Sequence, residues 1–243
     1  MKTVGVLGGM GPEATAYFFA LLVRNTRAAR DQDHVPVIVC NLPRIPDRTR
    51  AILHGGPSPL PALRRGLETL SRAGADFAVM PCVSAHYFYA GLAARSPIPI
   101  VHLLEETAAD IRKRFPRIRT IGLLATTGTV STGIVADVFR LAGIEVLVPG
   151  GPGQKRVMTA IYGRRGIKAG TAAGHPHRIL IGVAGELVRM GAQAIVAGCT
   201  EIPIAIGEDD LTVPFIDPMR AAALACILRA GGFIRDAGRP SAS

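Results

Sequence analysis

Two cysteines in this 243-residue chain stand where proton-transfer chemistry would use them. Cys82 and Cys199 are 117 positions apart (199 − 82 = 117), and each closely follows an apolar run, Phe77–Met80 and Ala194–Ala197. A thiol between a strand end and a helix start meets backbone N–H groups and the positive end of the helix dipole. Both favour thiolate, lowering the pKa from its free value near ~8.5. A thiol tuned toward neutrality serves as base when ionised and as acid when protonated. A single buried cysteine is more often a small hydrophobe, and Cys40 and Cys226, inside apolar runs, are read that way. Matched placement is what sets Cys82 and Cys199 apart.

The elements that must carry them are short runs rich in Val, Ile and Leu, alternating with helical patterns. Strands are predicted at Val4–Leu7, Val35–Cys40, Phe77–Met80, Ile98–His102, Thr120–Leu124, Ile144–Val148, Ala194–Ala197 and Val213–Ile216. Helices are predicted near 13–29, 59–73, 85–94, 103–114, 131–142, 153–162, 176–190 and 218–230. Continuous apolar strands separated by helices indicate parallel sheets covered on both faces.

An internal repeat runs through this pattern. Val4-Gly5-Val6-Leu7 and Ile121-Gly122-Leu123-Leu124 each open a strand-turn unit, with Gly5 and Gly122 offset by 117 (122 − 5). At that offset Gly11 falls on Gly128, Thr15 on Thr132 and Cys82 on Cys199. Two similar α/β halves follow. Ligands of open parallel sheets sit beyond the carboxyl ends of the strands, so facing halves would bring both thiols to one cleft with approximate two-fold symmetry. That arrangement suits chemistry on both faces of one carbon.

Composition narrows the function. Apolar residues make up 49% and mean hydropathy is +0.31, yet no apolar run approaches the ~18 to 20 residues of a membrane span. The opening Met1-Lys2-Thr3 leads into a strand rather than a signal peptide, so a cytoplasmic location is expected. Four cysteines at spacings of 42, 117 and 27 form neither a disulfide framework nor a zinc site. The net charge of +10 comes from 24 arginines and four lysines that are scattered singly and in pairs, with no Trp. This argues against nucleic acid and for attraction of small anions. His175 and His177 flank Pro176 without a further ligand nearby, so no metal is expected.

Several motifs stand out in order along the chain. They are Val4-Gly5-Val6-Leu7-Gly8-Gly9-Met10-Gly11-Pro12 with Thr15, Ile45-Pro46-Asp47-Arg48-Thr49, and Met80-Pro81-Cys82 with Ala85-His86. Leu124-Ala125-Thr126-Thr127-Gly128-Thr129, Ile167-Lys168-Ala169-Gly170, Ala197-Gly198-Cys199-Thr200-Glu201 and Pro214-Phe215-Ile216-Asp217-Pro218 follow. As a set they resemble the aspartate/glutamate racemase superfamily, and aspartate racemases most, and the resemblance spans roughly residues 2 to 230.

It implies an α/β fold of two similar three-layer α/β/α domains with mostly parallel sheets, related by pseudo-two-fold symmetry. The first domain would take 1–100 plus 216–243 and the second 101–215, with the active site in the cleft between them. It also implies a homodimer and a cofactor-independent isomerase: one cysteine removes the α-proton, the other delivers a proton to the opposite face. Arg48 and Lys168 would hold the side-chain carboxylate of aspartate or glutamate, a planar guanidinium suiting bidentate carboxylate binding. Met10, Ser84, Thr126 and Thr200 would complete the substrate site, and Glu201 would orient groups or assist proton balance.

Taken without the resemblance, these residues have plainer readings. Arg48 and Lys168 belong to polar or basic loops and read as solvated charges, Thr126 or Thr127 as a helix cap, and His86 as a packed or surface histidine. Gly8-Gly9-Met10-Gly11 lacks the Gly-Lys-Ser/Thr continuation of a phosphate loop and reads as close substrate approach to the backbone. One departure concerns substrate choice: the family follows its first cysteine with Asn-Thr, and this chain has Val83-Ser84. Epimerisation of another amino acid, maleate-type isomerisation, decarboxylation and a non-catalytic binding role are the alternatives.

Overall fold

Val4-Gly5-Val6-Leu7 has no polar side chain, and the strand it forms is wholly buried and paired on both sides. The structure, a computed structural model, describes residues 1–235. The last part of the 216–243 segment, residues 236–243, lies outside the described residues. The first sheet contains β1 (Val4–Gly8), β2 (Val37–Asn41), β3 (Phe77–Val79) and β4 (Ile100–Val101), in the order β2-β1-β3-β4. The second contains β5 (Thr120–Ala125), β6 (Glu145–Leu147), β7 (Ile195–Gly198) and β8 (Phe215–Ile216), in the order β6-β5-β7-β8. All six pairings are parallel.

Helices connect the strands: α1 (Pro12–Asn25), α2 (Arg48–His54), α3 (Leu60–Arg72), α4 (Tyr89–Ala93), α5 (Leu103–Arg114), α6 (Thr127–Thr132), α7 (Ile134–Leu141), α8 (Gly151–Tyr162), α9 (His175–Arg189), α10 (Ile202–Ala205) and α11 (Pro218–Arg229). In α3, Leu63, Leu67 and Leu70 recur at helical spacing on a buried face, with Arg64, Arg65 and Glu68 outside it. The predicted first helix is shorter than expected. It ends at Asn25, because Thr26 turns extended and caps Leu22. Two short helices were not expected at all: α2, where the sequence reads as a polar loop, and α10 after Cys199. The helix predicted at 131–142 is instead two, α6 and α7, broken at Gly133.

The repeat is structural. Asp76 N–H donates to Thr3 O, and 117 residues on Gln193 N–H donates to Thr120 O. Ala75 N–H donates to Leu70 O, and Ala192 N–H to Leu187 O, again at the same offset. A Cβ at Gly5 would meet Leu70 Cδ1 at 3.2 Å, and one at Gly122 would meet Leu187 Cβ at 2.9 Å. Glycine in each central strand lets the same leucine of a covering helix approach the sheet.

One apolar cluster runs from Val4, Val6 and Phe18 to Ile121, Leu123, Phe139 and Ile216, so the halves share a core. Helix α11 follows the last strand of the second sheet and packs against α1 and α5. Among the described residues, no helix is long and apolar enough to cross a membrane.

Candidate active site

Cys82 follows β3 and precedes a two-turn 3₁₀ segment, Val83–Phe88. Cys199 follows β7 at the corresponding place, and the chain turns through Thr200 and Glu201 into α10. Both cysteines line one inner chamber of about 10 Å³, room for a single water at most. Met10, Arg48, Ser84, Thr126, Lys168, Thr200 and Glu201 line it too. All nine residues singled out from the sequence are thus brought together. Val83, Thr129 and Tyr162 join them. Met10, Arg48, Lys168 and Glu201 also border an outer pocket of about 280 Å³, which opens the chamber's rim to solvent.

Arg48 is not a solvated charge. It is 6% exposed at the start of α2, whose N-cap Asp47 accepts from Arg50 N–H. Its guanidinium donates to Met10 O at 3.0 Å and Pro46 O at 3.1 Å, while its Nε is buried without a partner. Burial works against the charge, but Cys82 and Asp47 nearby raise the pKa above the ordinary arginine value. Lys168 lies in a 3₁₀ turn, Ile167–Ala169, with its ammonium 2.6 Å from Glu201 Oε1. Burial again opposes the charge, and Glu201 followed by Cys199 holds the lysine pKa above its usual range.

The other Glu201 oxygen accepts from the Cys199 thiol at 3.0 Å. Burial first, and the Glu201 charge second, push the Cys199 thiol well above its ordinary pKa, with Lys168 opposing. This corrects the expectation of a thiol lowered by its strand-end position. The four-residue α10 offers little dipole, and desolvation of the thiolate outweighs it. On the other side, Cys82 Sγ is 3.5 Å from Ser84 Oγ.

Loops from both halves form the remaining wall. Thr126 caps α6 by accepting from Thr129 N–H, and Thr49 Oγ1 reaches its hydroxyl at 3.4 Å. A Cβ at Gly128 would meet Thr49 Cα at 3.0 Å, so α6 and α2 touch closely only with glycine there. Tyr162, at the end of α8, donates to Asp47 Oδ2 at 2.9 Å, and the Lys168 ammonium lies 5.6 Å from its ring centre. The Gly8-Gly9 turn answers to backbone packing rather than to substrate. A Cβ on Gly8 would strike Thr15 and one on Gly9, at φ +93°, would strike Leu42, whereas Gly11 leaves room for Glu201 Oε1. Among the described residues no cluster of His, Cys, Asp and Glu could hold a metal. His177 instead meets Asp210 at 3.0 Å.

Two parallel α/β sheets of one topology, with a thiol from each half in one polar chamber, define the class. The family model described as Asp/Glu/Hydantoin racemase matches residues 7–226, and the chain belongs to that family. The Picrophilus torridus aspartate racemase structure is 32% identical, covering 97% of this chain and 96% of that one, with a TM-score of 0.85. A glutamate racemase from Francisella tularensis in complex with D-glutamate shares the fold at 18% identity and a TM-score of 0.63, covering 95% of this chain and 82% of that one. The broad specificity amino-acid racemase RacX of Bacillus subtilis is 29% identical over 150 residues, which span 59% of this chain and 63% of that protein. The chain thus matches less than two thirds of the RacX length.

Proposed function

We propose that this chain racemises an acidic amino acid, aspartate first and glutamate second, by two-base proton transfer between Cys82 and Cys199. Neither pyridoxal phosphate nor a metal takes part. The observation that carries the reading is a single chamber containing both thiols and two cationic side chains, Arg48 and Lys168. In one direction a thiolate takes the α-hydrogen and its electron pair stays on the α-carbon, spread into the carboxylate. The opposite thiol then delivers its proton to the other face, and the two sulfurs end with exchanged protonation states. Substrate geometry supplies much of the rate, since a positioned base and acid convert a bimolecular step into an effectively unimolecular one.

Arg48 has fixed donors and an unpartnered Nε, so it is the stronger carboxylate anchor. Lys168 shares its charge with Glu201. The inner chamber is too small for an amino acid, so binding parts the Tyr162–Asp47 and Thr49–Thr126 contacts that join the halves.

A second reading, racemisation or epimerisation of a neutral amino acid by the same thiols, is favoured by Val83 and by the neutralisation of Lys168. The test is to incubate the protein with single L- and D-amino acids in deuterated water with a chelator present. Aspartate or glutamate should gain α-deuterium and lose optical purity. Exchange confined to neutral amino acids would select the second reading, and no exchange would refute both.

A further inference from the structure

The imidazole of His86 is 5% exposed and has a partner at each nitrogen. Leu103 N–H, at the first turn of α5, points at Nε2 from 3.1 Å, so that nitrogen accepts. The proton of the neutral ring therefore resides on Nδ1, which donates to the Cys82 backbone carbonyl at 2.9 Å. Tyr89 stacks on the ring at 6.0 Å and 7°, and His102 meets its edge at 5.0 Å and 74°. Tyr89 is itself fixed by its hydroxyl donating to Ile100 O at 3.0 Å.

We propose that His86 is a positioning residue for Cys82: its ring is a rigid strut tying the Cys82 carbonyl to the N-terminus of α5. The segment after Cys82 is 3₁₀, with poorer internal hydrogen-bond geometry than an α-helix. It needs an outside support to hold a sulfur against a reacting carbon. A misplacement of about 1 Å can cost ~100-fold in rate. The corresponding position after Cys199 carries no histidine, so the support belongs to one thiol only. The inference rests on the reading of Cys82 as a proton-transfer residue.

The test compares His86→Phe, which keeps an aromatic ring without hydrogen bonds, with His86→Gln, which offers one donor and one acceptor. The enantiomer whose α-deuterium exchange disappears in Cys82→Ala reports on Cys82, and the other reports on Cys199. H86F should slow exchange on the Cys82 face by roughly 10- to 100-fold. It should leave the Cys199 face and KM nearly unchanged, and H86Q should recover most of the loss. Equal loss on both faces, tracking a lower Tm, would make His86 merely structural and overturn the proposal, as would equal behaviour of H86F and H86Q. Alkylation by iodoacetamide, mapped by mass, separates this from the racemase reading. Even if no amino acid exchanges, the ratio of Cys82 to Cys199 modification should change in H86F, and an unchanged ratio would overturn the strut.

Discussion

The Cys199 thiol donates to Glu201 Oε2 at 3.0 Å, while the other oxygen of that carboxylate accepts from Lys168 at 2.6 Å. An anion beside a thiol opposes a second anion, so Glu201 adds to burial in keeping Cys199 protonated. Replacing the carboxylate by an amide removes that opposition and leaves the Lys168 cation facing the sulfur. In a Cys82→Ala background, Glu201→Gln should lower the pH at which Cys199, mapped by mass, becomes reactive toward iodoacetamide as its thiolate forms. A rise, or no movement, would remove Glu201 from control of the thiol.

Arg48 presents a buried guanidinium whose Nε has no partner within the protein. A hydrogen bond to a charged group contributes about 1.5 to 3 kcal/mol. Arg48→Lys should therefore lower kcat/KM for aspartate roughly 10- to 100-fold, because a point charge does not reproduce the fork. Arg48→Ala should lose more. Turnover of a neutral amino acid, measured alongside, should fall less. Equal losses for acidic and neutral substrates would contradict a side-chain carboxylate role.

Val83 stands at the chamber wall and packs into the core shared by the halves. An asparagine there restores an amide that the family's pattern carries after its first cysteine. Val83→Asn should improve kcat/KM for aspartate or glutamate by up to about tenfold, the value of one further polar contact. It should cost some thermal stability, because a buried amide displaces an apolar contact. A drop in activity toward every amino acid would show that valine belongs to this chain's own substrate.

Burial first, and His102 second, push His86 down to about 4. Its unfolded value is near ~6.5, so between those pH values the unfolded chain binds more protons than the folded one. Stability from His86 is complete above about 6.5 and is lost as pH falls through about 4. The amount is on the order of 3 kcal/mol at roughly 1.36 kcal/mol per unit. Urea titrations at pH 7 and pH 4 should show a smaller difference in His86→Gln than in the wild type. An identical difference would place the acid sensitivity elsewhere.

Much of this site was legible in the sequence because its repeat is local and periodic. The 117-residue offset between Cys82 and Cys199 extends to Leu70 and Leu187 against Gly5 and Gly122, so one packing rule was written twice. What was hidden depends on contacts distant in sequence. Arg48 reads as a loop charge until Met10, 38 positions away, supplies its carbonyl. Tyr162 carries no spacing signal, and its partner Asp47 is 115 positions away. The rise in the Cys199 pKa is half-visible: Glu201 is two residues on, but the burial that dominates is a property of the folded halves.

The two-thiol account is tested most directly by following mass and chirality separately in Cys82→Ala and Cys199→Ala. Each racemisation needs one proton removed and another delivered from the opposite face, so both variants should nearly abolish interconversion. A remaining thiolate can still remove the proton on its own side and return a solvent-derived one there. In deuterated water, Cys82→Ala should therefore wash deuterium into one enantiomer and Cys199→Ala into the other, each with retained configuration. Normal racemisation by either single variant would contradict the account.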